Sequence, residues 1–317
     1  MRQSNSQLLT VVVMTRDSLS TLKHCLAAIS ADARGIENGL IEILISDNST
    51  SNETRDYLES SDLGFSYKFH AGILTYDQHL ETVFQIAQGE YVKILADDDE
   101  LLPGFLDRHI HILQNLGGVD VLVSNFVTDA PYSKNHLFLD SEPHEFKGLP
   151  FGAAYRKSRW RFGQVSSLTF RRSSWLRNFQ ASYLGSNYLH QTMYFACSFG
   201  GRSWVDASAL ILCREGSPNF SKSPSQVVQT RFGGLRSITA VRGLIWKRIE
   251  FYQSTGRAIL EIIRIVIWSK LNTNLNLSEL QEIAVASSFP RLRTLLLLVH
   301  KLSPSRLLKY LKSLGVK

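Results

Sequence analysis

Tyr91-Val92-Lys93-Ile94-Leu95-Ala96-Asp97-Asp98-Asp99-Glu100 reads as a buried strand that ends abruptly in four acids. A near-continuous apolar run of this length suits a strand covered on both faces, as in a parallel sheet. Three successive aspartates repel one another, so their place at a strand end calls for a reason. A hard divalent cation supplies one, because Mg2+ and Mn2+ prefer oxygen ligands and bridge to substrate phosphates. Magnesium needs only one or two protein carboxylates, so a short run is enough. The simpler alternative is a solvated acidic turn leading into the helix after Pro103.

Working outward, two earlier strands end in the same polar way. Residues 8–14 are a β-branched apolar run that stops at Thr15-Arg16-Asp17-Ser18. Leu19, Leu22, Leu26 and Ile29 follow at helical spacing, with Ser18 as the expected N-cap. Residues 41–46 form a second buried strand, ending at Asp47-Asn48-Ser49-Thr50. Thr50-Ser51-Asn52-Glu53 fits a capping box opening the next helix. A strand is predicted at 65–70 and a helix at 77–88 that stops at Gly89. Beyond the acidic run come a helix to about residue 116 and a strand over 119–124. Strand and helix alternate throughout, which predicts an α/β, doubly wound sheet with helices on both faces. Ligands of such sheets bind beyond the carboxyl ends of the strands. Asp47 and the acidic run both fall there.

The 317 residues carry a net charge of +7, and 44% are hydrophobic. That excludes disorder and fibre classes. The charge is uneven: residues 231–317 hold 15 Lys/Arg against 4 Asp/Glu, a surplus of +11 that leaves −4 on residues 1–230. Three divisions follow: 1–125 with the strand-end motifs, 126–230 rich in aromatics, Arg, Gly and Ser, and a basic helical region over 231–317. Leu307, Leu308, Leu311 and Leu314 form one face of a short helix flanked by Arg306, Lys309 and Lys312. Basic amphipathic helices lie in membrane interfaces, where each Lys or Arg contributes on the order of 1 kcal/mol near anionic lipid. Packing on the body is the alternative for such a face. The tail is leucine-rich rather than aromatic, which favours lipid over nucleic acid. Three widely spaced cysteines without a CxxC pair point away from a disulfide framework or structural zinc, towards a reducing cytoplasm. Neither a signal peptide nor a membrane-spanning helix is expected.

Val11-Val12-Val13-Met14-Thr15-Arg16-Asp17, Glu42-Ile43-Leu44-Ile45-Ser46-Asp47-Asn48-Ser49-Thr50 and the residues from Gly89 to Asp99 together resemble the family 2 glycosyltransferases. The local pattern is similar to bacterial O-antigen transferases of the abequosyltransferase-like group. The resemblance implies a GT-A fold, a Rossmann-like mixed sheet, here with a C-terminal helical extension. It implies that Thr15 and Arg16 lie along the nucleotide of a nucleotide-sugar donor and that Asp47 reads its base. It places Asp97, Asp98 and Asp99 in the DxD region that holds ribose and metal, with Mg2+ or Mn2+ on Asp98 or Asp99. Ala96 stands where the family often has an aspartate. Asp77 matches a position near the ribose and phosphates; capping the 78–88 helix is its alternative.

Gly163 to Arg172 looks like the segment lining the acceptor side, and His190 falls where inverting members carry the aspartate that deprotonates the acceptor hydroxyl. A neutral imidazole can do that work; packing against Tyr188, Met193 and Tyr194 is its alternative, and the stereochemical outcome stays open. Arg159, Arg161, Arg171 and Arg172 are candidates for the diphosphate or an anionic acceptor. The processive synthases carry QxxRW and membrane helices, and neither is found. The implied activity is therefore non-processive transfer to a hydroxyl of a lipid-linked or growing surface glycan, on the cytoplasmic face of the inner membrane. Two other readings are a sugar-phosphate nucleotidyltransferase, which needs a Gly-rich loop that Thr15-Arg16-Asp17-Ser18 lacks, and a degenerate sugar-binding member.

Overall fold

The computed structural model describes residues 7–33, 39–61, 64–128, 144–147, 164–185, 187–199 and 201–214. The chain divides into two units, Met1–Glu215 and Gly216–Lys317, and every described residue belongs to the first. The basic helical region, Arg159, Arg161 and Gly163 lie outside the described residues.

The elements run β1 (Leu9–Thr15), α1 (Leu19–Ala33), β2 (Ile41–Asp47), α2 (Glu53–Ser60), β3 (Ser66–Phe69), α3 (Tyr76–Ile86), β4 (Tyr91–Ala96), β5 (Glu100–Leu101) and α4 (Phe105–Leu116). They continue with β6 (Val121–Thr128), β7 (His144–Lys147), β8 (Leu168–Arg171), α5 (Arg172–Asn178), α6 (Leu189–Phe199) and β9 (Arg202–Cys213). The strands form one nine-stranded sheet in the order β3-β2-β1-β4-β8-β6-β9-β5, with β7 also paired to β9. β3, β2, β1 and β4 are parallel, as the alternation of strand and helix requires. β8 then enters antiparallel between β4 and β6, making the sheet mixed. Val11, Val12 and Val13 of β1 and Val92, Ile94 and Leu95 of β4 are fully buried, because helices cover both faces. Phe84 of α3 stacks on Trp175 of α5 with ring centroids 3.7 Å apart.

Two expected caps are replaced by contacts across the fold. Asn52, not Thr50, is the N-cap of α2, and it makes no side-chain cap bond. Thr50 is drawn instead to Asp17, whose Oδ1 accepts from the Thr50 backbone N–H at 2.8 Å and hydroxyl at 3.0 Å. That contact staples the loop after β2 to the loop after β1 and holds Asp17 at φ +52°. α3 begins at Tyr76, with Thr75 as its N-cap in a capping box with Gln78. α4 has no side-chain cap of its own; Asp32 of α1 accepts from the N–H groups of Gly104 and Leu106. Gly89 ends the turn before β4 because a Cβ there would stand 2.5 Å from the Thr10 backbone nitrogen.

Register carries the site. Thr15 is the Cα partner of Asp47 across β1 and β2, and Met14 that of Ala96 across β1 and β4. The three polar strand ends therefore lie side by side at one edge of the sheet.

Candidate functional site

Thr15 is the hinge of the cluster. Its backbone carbonyl accepts from the Asn48 N–H at 3.0 Å, and its hydroxyl donates to Asp97 Oδ2 at 2.6 Å. Arg16 follows at the surface, about half exposed, with its guanidinium 3.8 Å from Asp17. Asp47 is fully buried. Its Oδ1 accepts from the Ser49 N–H and its Oδ2 from the Tyr67 hydroxyl, each at 2.8 Å. Each carboxylate oxygen has capacity for a further donor. Burial and the Asp47 carboxylate push the Tyr67 phenol well above its ordinary range. Asn48 reaches the next loop, donating to the Leu74 carbonyl and accepting from the Leu74 N–H.

The three aspartates after β4 are treated differently. Burial pushes Asp97 up to about 7, with the Asp98 charge adding to it and the Thr15 hydroxyl opposing it. Asp99 is 1% exposed and is pushed by burial to about 6. Its Oδ2 accepts from the Gln164 side chain at 2.8 Å and its Oδ1 from the Arg214 N–H at 3.2 Å. Asp98 is partly exposed, and no hydrogen bond or ion pair engages its carboxylate among the described residues. Glu100 pairs with Arg214 at 2.5 Å, closing β5 onto the end of β9.

The loop is also fixed from below. Lys93 is fully buried; its ammonium donates to the Ser166 carbonyl and sits 5.3 Å from the Phe105 ring centroid. Burial lowers it to about 7. The Ser166 hydroxyl in turn accepts from the Ala96 N–H at 2.9 Å. Sequence reasoning passed over Lys93, although a lysine inside a strand buried on both faces must have a partner. Nothing local marked Tyr67, and Gln164 was marked only within the 163–172 segment; the contacts of both come from distant pairing.

The other anticipated residues separate. Asp77 is fully buried, and its carboxylate accepts from the N–H groups of Gly185, Asn187 and Leu189 at 2.8–3.0 Å. It thus caps the start of α6 from α3, rather than its own helix. His190, in the first turn of α6, is 4% exposed and bonds through Nδ1 to the Tyr76 hydroxyl at 3.1 Å. Arg171 and Arg172 do not reach the acidic edge. Arg171 pairs with Glu90, and Arg172 donates to the Phe84 and Gln85 carbonyls at the end of α3. Arg171 also lies opposite Tyr91, at the start of β4, the far end from Asp97.

Among the described residues no three His, Cys, Asp or Glu side chains converge as a ready metal cage. A cation that takes most ligands from phosphate and water needs no such cage, and the unengaged Asp98 suits it. Among the same residues no helix is long and apolar enough to cross a membrane. Cys25, Cys197 and Cys213 are free and buried.

The sequence matches the model of Glycosyl transferase family 2 over residues 10–179, more than half the chain. The chain belongs to this family. No curated protein matches it significantly. Among solved structures, S. aureus TarS 1–349 in complex with UDP superposes with a TM-score of 0.63 at 12% identity, covering 93% of this chain and 87% of that one. The same TarS fragment with UDP-GlcNAc gives 0.56 at 13% identity, with the same coverage. A mannosyltransferase from Pyrobaculum calidifontis in complex with GDP-Man and Mn2+ gives 0.54 at 13%, covering 92% and 84%. At these identities the likeness is one of fold, and it is the GT-A fold of a family 2 glycosyltransferase.

Proposed function

We propose that this family 2 glycosyltransferase moves a sugar from a nucleotide-diphosphate donor to a hydroxyl of a lipid-linked or growing cell-surface glycan, one residue at a time. The observation that carries it is Asp98, a carboxylate left unengaged beside Thr15, Asp47 and Asp97 at the carboxyl edge of the sheet. UDP, UDP-GlcNAc and GDP-Man with Mn2+ bound to the neighbouring folds support a nucleotide-sugar donor and a divalent metal.

Asp47, with lone-pair capacity left on each carboxylate oxygen, would read the base, with Tyr67 fixing the carboxylate. Thr15 and Asp97 meet the ribose, and Arg16 is placed to turn from Asp17 to the diphosphate. Asp98 would hold Mg2+ or Mn2+, with Asp99 bracing the loop behind it. The bound cation supplies Lewis-acid stabilisation of the departing diphosphate. During transfer the bond from the anomeric carbon to the diphosphate oxygen breaks and the acceptor oxygen bonds to that carbon. The hydroxyl proton passes to His190. The C-terminal basic helices would bring the enzyme to an anionic membrane surface on the cytoplasmic side, where a lipid-linked acceptor resides. The short, glycine-free loop after β1 favours this reading over a nucleotidyltransferase.

Turnover of nucleotide-sugars with Mn2+ or Mg2+, by transfer or by slow donor hydrolysis, tests the proposal. Asp98→Ala should lower turnover by about 10²–10³-fold, in line with loss of a major charge-stabilising group. Asp99→Ala should cost less, acting through the loop. Unchanged turnover in both variants would remove the metal assignment.

A further inference from the structure

The residues from Ala96 to Asp99 form a tight turn, in which the Asp99 N–H donates back to the Ala96 carbonyl at 3.2 Å. Asp98 lies within it, and its neighbours are held from outside. Thr15 holds Asp97 through a 2.6 Å hydrogen bond. The other side is held by a short helical turn, Val165–Ser167, that leads into β8. The fully buried Ser166 hydroxyl meets both ends of the acidic turn: it accepts from the Ala96 N–H at 2.9 Å and hydrogen-bonds the Asp99 carboxyl. Gln164 adds a bond to Asp99 Oδ2 at 2.8 Å. Gln164 is itself fixed, because its carbonyl accepts from the Ser167 N–H at 3.1 Å and hydroxyl at 2.7 Å. Lys93 reaches the same turn from β4, donating its ammonium proton to the Ser166 carbonyl.

We infer that Ser166 and Gln164 are positioning residues for Asp98, with Lys93 anchoring the turn that carries them. The inference rests on the proposed metal-assisted reading and deepens it. Groups behind a metal ligand fix its orientation, and their loss typically lowers metal affinity by about 10–100-fold. Here they act through the backbone on either side of the ligand. With Ala96 and Asp99 tied to one hydroxyl, the Asp98 backbone is ordered before any cation arrives, so binding does not have to supply the entropy of ordering it. The Asp98 carboxylate then needs no bond of its own to the protein. Lys93 is the costly part of the arrangement. A buried ammonium is expensive unless it is paired, and an apolar residue in such a place is often tolerated. Burial lowers its pKa to about 7, with Cys213 and Asp99 opposing. What lysine supplies, and an apolar side chain cannot, is a donor to the Ser166 carbonyl. It supplies that donor from β4, the strand that ends in the acidic turn. One strand thus carries both the loop and the anchor of its brace.

The test uses the full chain and measures Mn2+ affinity, read from the dependence of melting temperature on Mn2+ concentration. The probe is Mn2+ together with whichever of the UDP-, CDP-, GDP- and dTDP-sugars shifts the wild type most. Gln164 is only half-buried, so Gln164→Ala should melt near the wild type. It should bind Mn2+ about 3–10-fold more weakly, Ser166→Ala about 10–100-fold and Lys93→Met about 10-fold. The donor's shift without Mn2+ should be unchanged in all three, which a general loosening of the fold would not leave intact. Gln164→Ala combined with Asp98→Ala should bind Mn2+ no more weakly than Asp98→Ala alone, since the brace acts only through Asp98. Wild-type Mn2+ affinity in any of the three single variants would overturn the inference, as would additive losses in the double variant. Should Ser166→Ala or Lys93→Met fail to fold, Gln164→Ala and the double variant decide. These failures leave the transferase reading intact. A wild type without any Mn2+-dependent shift would instead strike the metal-assisted reading, and the inference with it.

Discussion

Asp77 and the aspartates after β4 are handled by this fold in opposite ways. Asp77 is surrounded by three backbone amides, each donating at 2.8–3.0 Å, so its charge is satisfied locally. Asp97 and Asp99 flank Asp98, and although hydrogen bonds from Thr15 to the first and from Gln164 and the Arg214 N–H to the second oppose it, burial pushes both carboxyls up. The first arrangement stabilises a turn; the second sets three carboxyl groups side by side, where burial and the neighbouring Asp98 charge work against ionisation. Under the proposed function a ligand completes that cluster, and this is the difference the following predictions probe.

The largest consequence concerns stability. Asp77→Ala leaves up to three buried amides without an acceptor, and unfolding measurements should show a loss of about 3–5 kcal/mol. If the loss is below about 1 kcal/mol, Asp77 is not the anchor of α6. The pH dependence should separate the groups next. A carboxyl whose folded pKa is raised stabilises most below its unfolded value, and that contribution is lost as pH rises through the folded value. Asp97, raised from 3.8 to about 7, therefore lowers stability steadily between about pH 4 and 7, and Asp99 acts likewise up to about 6. His79, held down from 6.5 to about 4 by burial, works the other way between those values, and His70 and His109, also lowered by burial, act in the same direction. The clean readout is the difference between wild type and Asp97→Asn, which should shrink the decline with pH. Mn2+ binding should strengthen over the same range, because ligand binding there favours the ionised carboxylates. A smaller effect belongs to Tyr67→Phe: loss of one hydrogen bond to Asp47 should cost about 1 kcal/mol in chemical denaturation. Smallest is Asp98→Ala, whose removal breaks no contact and relieves repulsion, so melting should stay level or rise. A marked drop there would mean that Asp98 is structural after all.

The same contrast explains what was legible in the sequence. The parallel half of the sheet is written in local runs: 8–14, 41–46 and 91–95 each declare a buried strand, and the acids after them mark the carboxyl edge. β5, β7, β8 and β9 were not anticipated, because their pairing is long-range and short strands such as Glu100–Leu101 carry no periodicity of their own. The capping box at Thr50 failed for a related reason: its side chain found a better partner 33 residues away in Asp17. Asp47 and the aspartates after β4 were placed at one edge by strand logic alone. Asp77 and His190 were read as separate site residues, and the link between them through Tyr76 and the turn before α6 spans more than a hundred residues. Arg171 and Arg172 illustrate the limit in the other direction, since charge suggested a phosphate and the fold gave them Glu90 and the end of α3.

The most direct test is a thermal-shift comparison of wild type and Asp98→Ala with UDP-, CDP-, GDP- and dTDP-sugars, each with and without Mn2+. Binding to the native state raises apparent stability by about 2.7 kcal/mol at a hundredfold excess over Kd, which is several degrees for a chain of this size. At least one donor should raise the wild-type melting temperature by that amount with Mn2+ present, and Asp98→Ala should lose most of the metal-dependent part. No shift with any donor, or an equal metal-dependent shift in both proteins, would contradict a donor site built around Asp98.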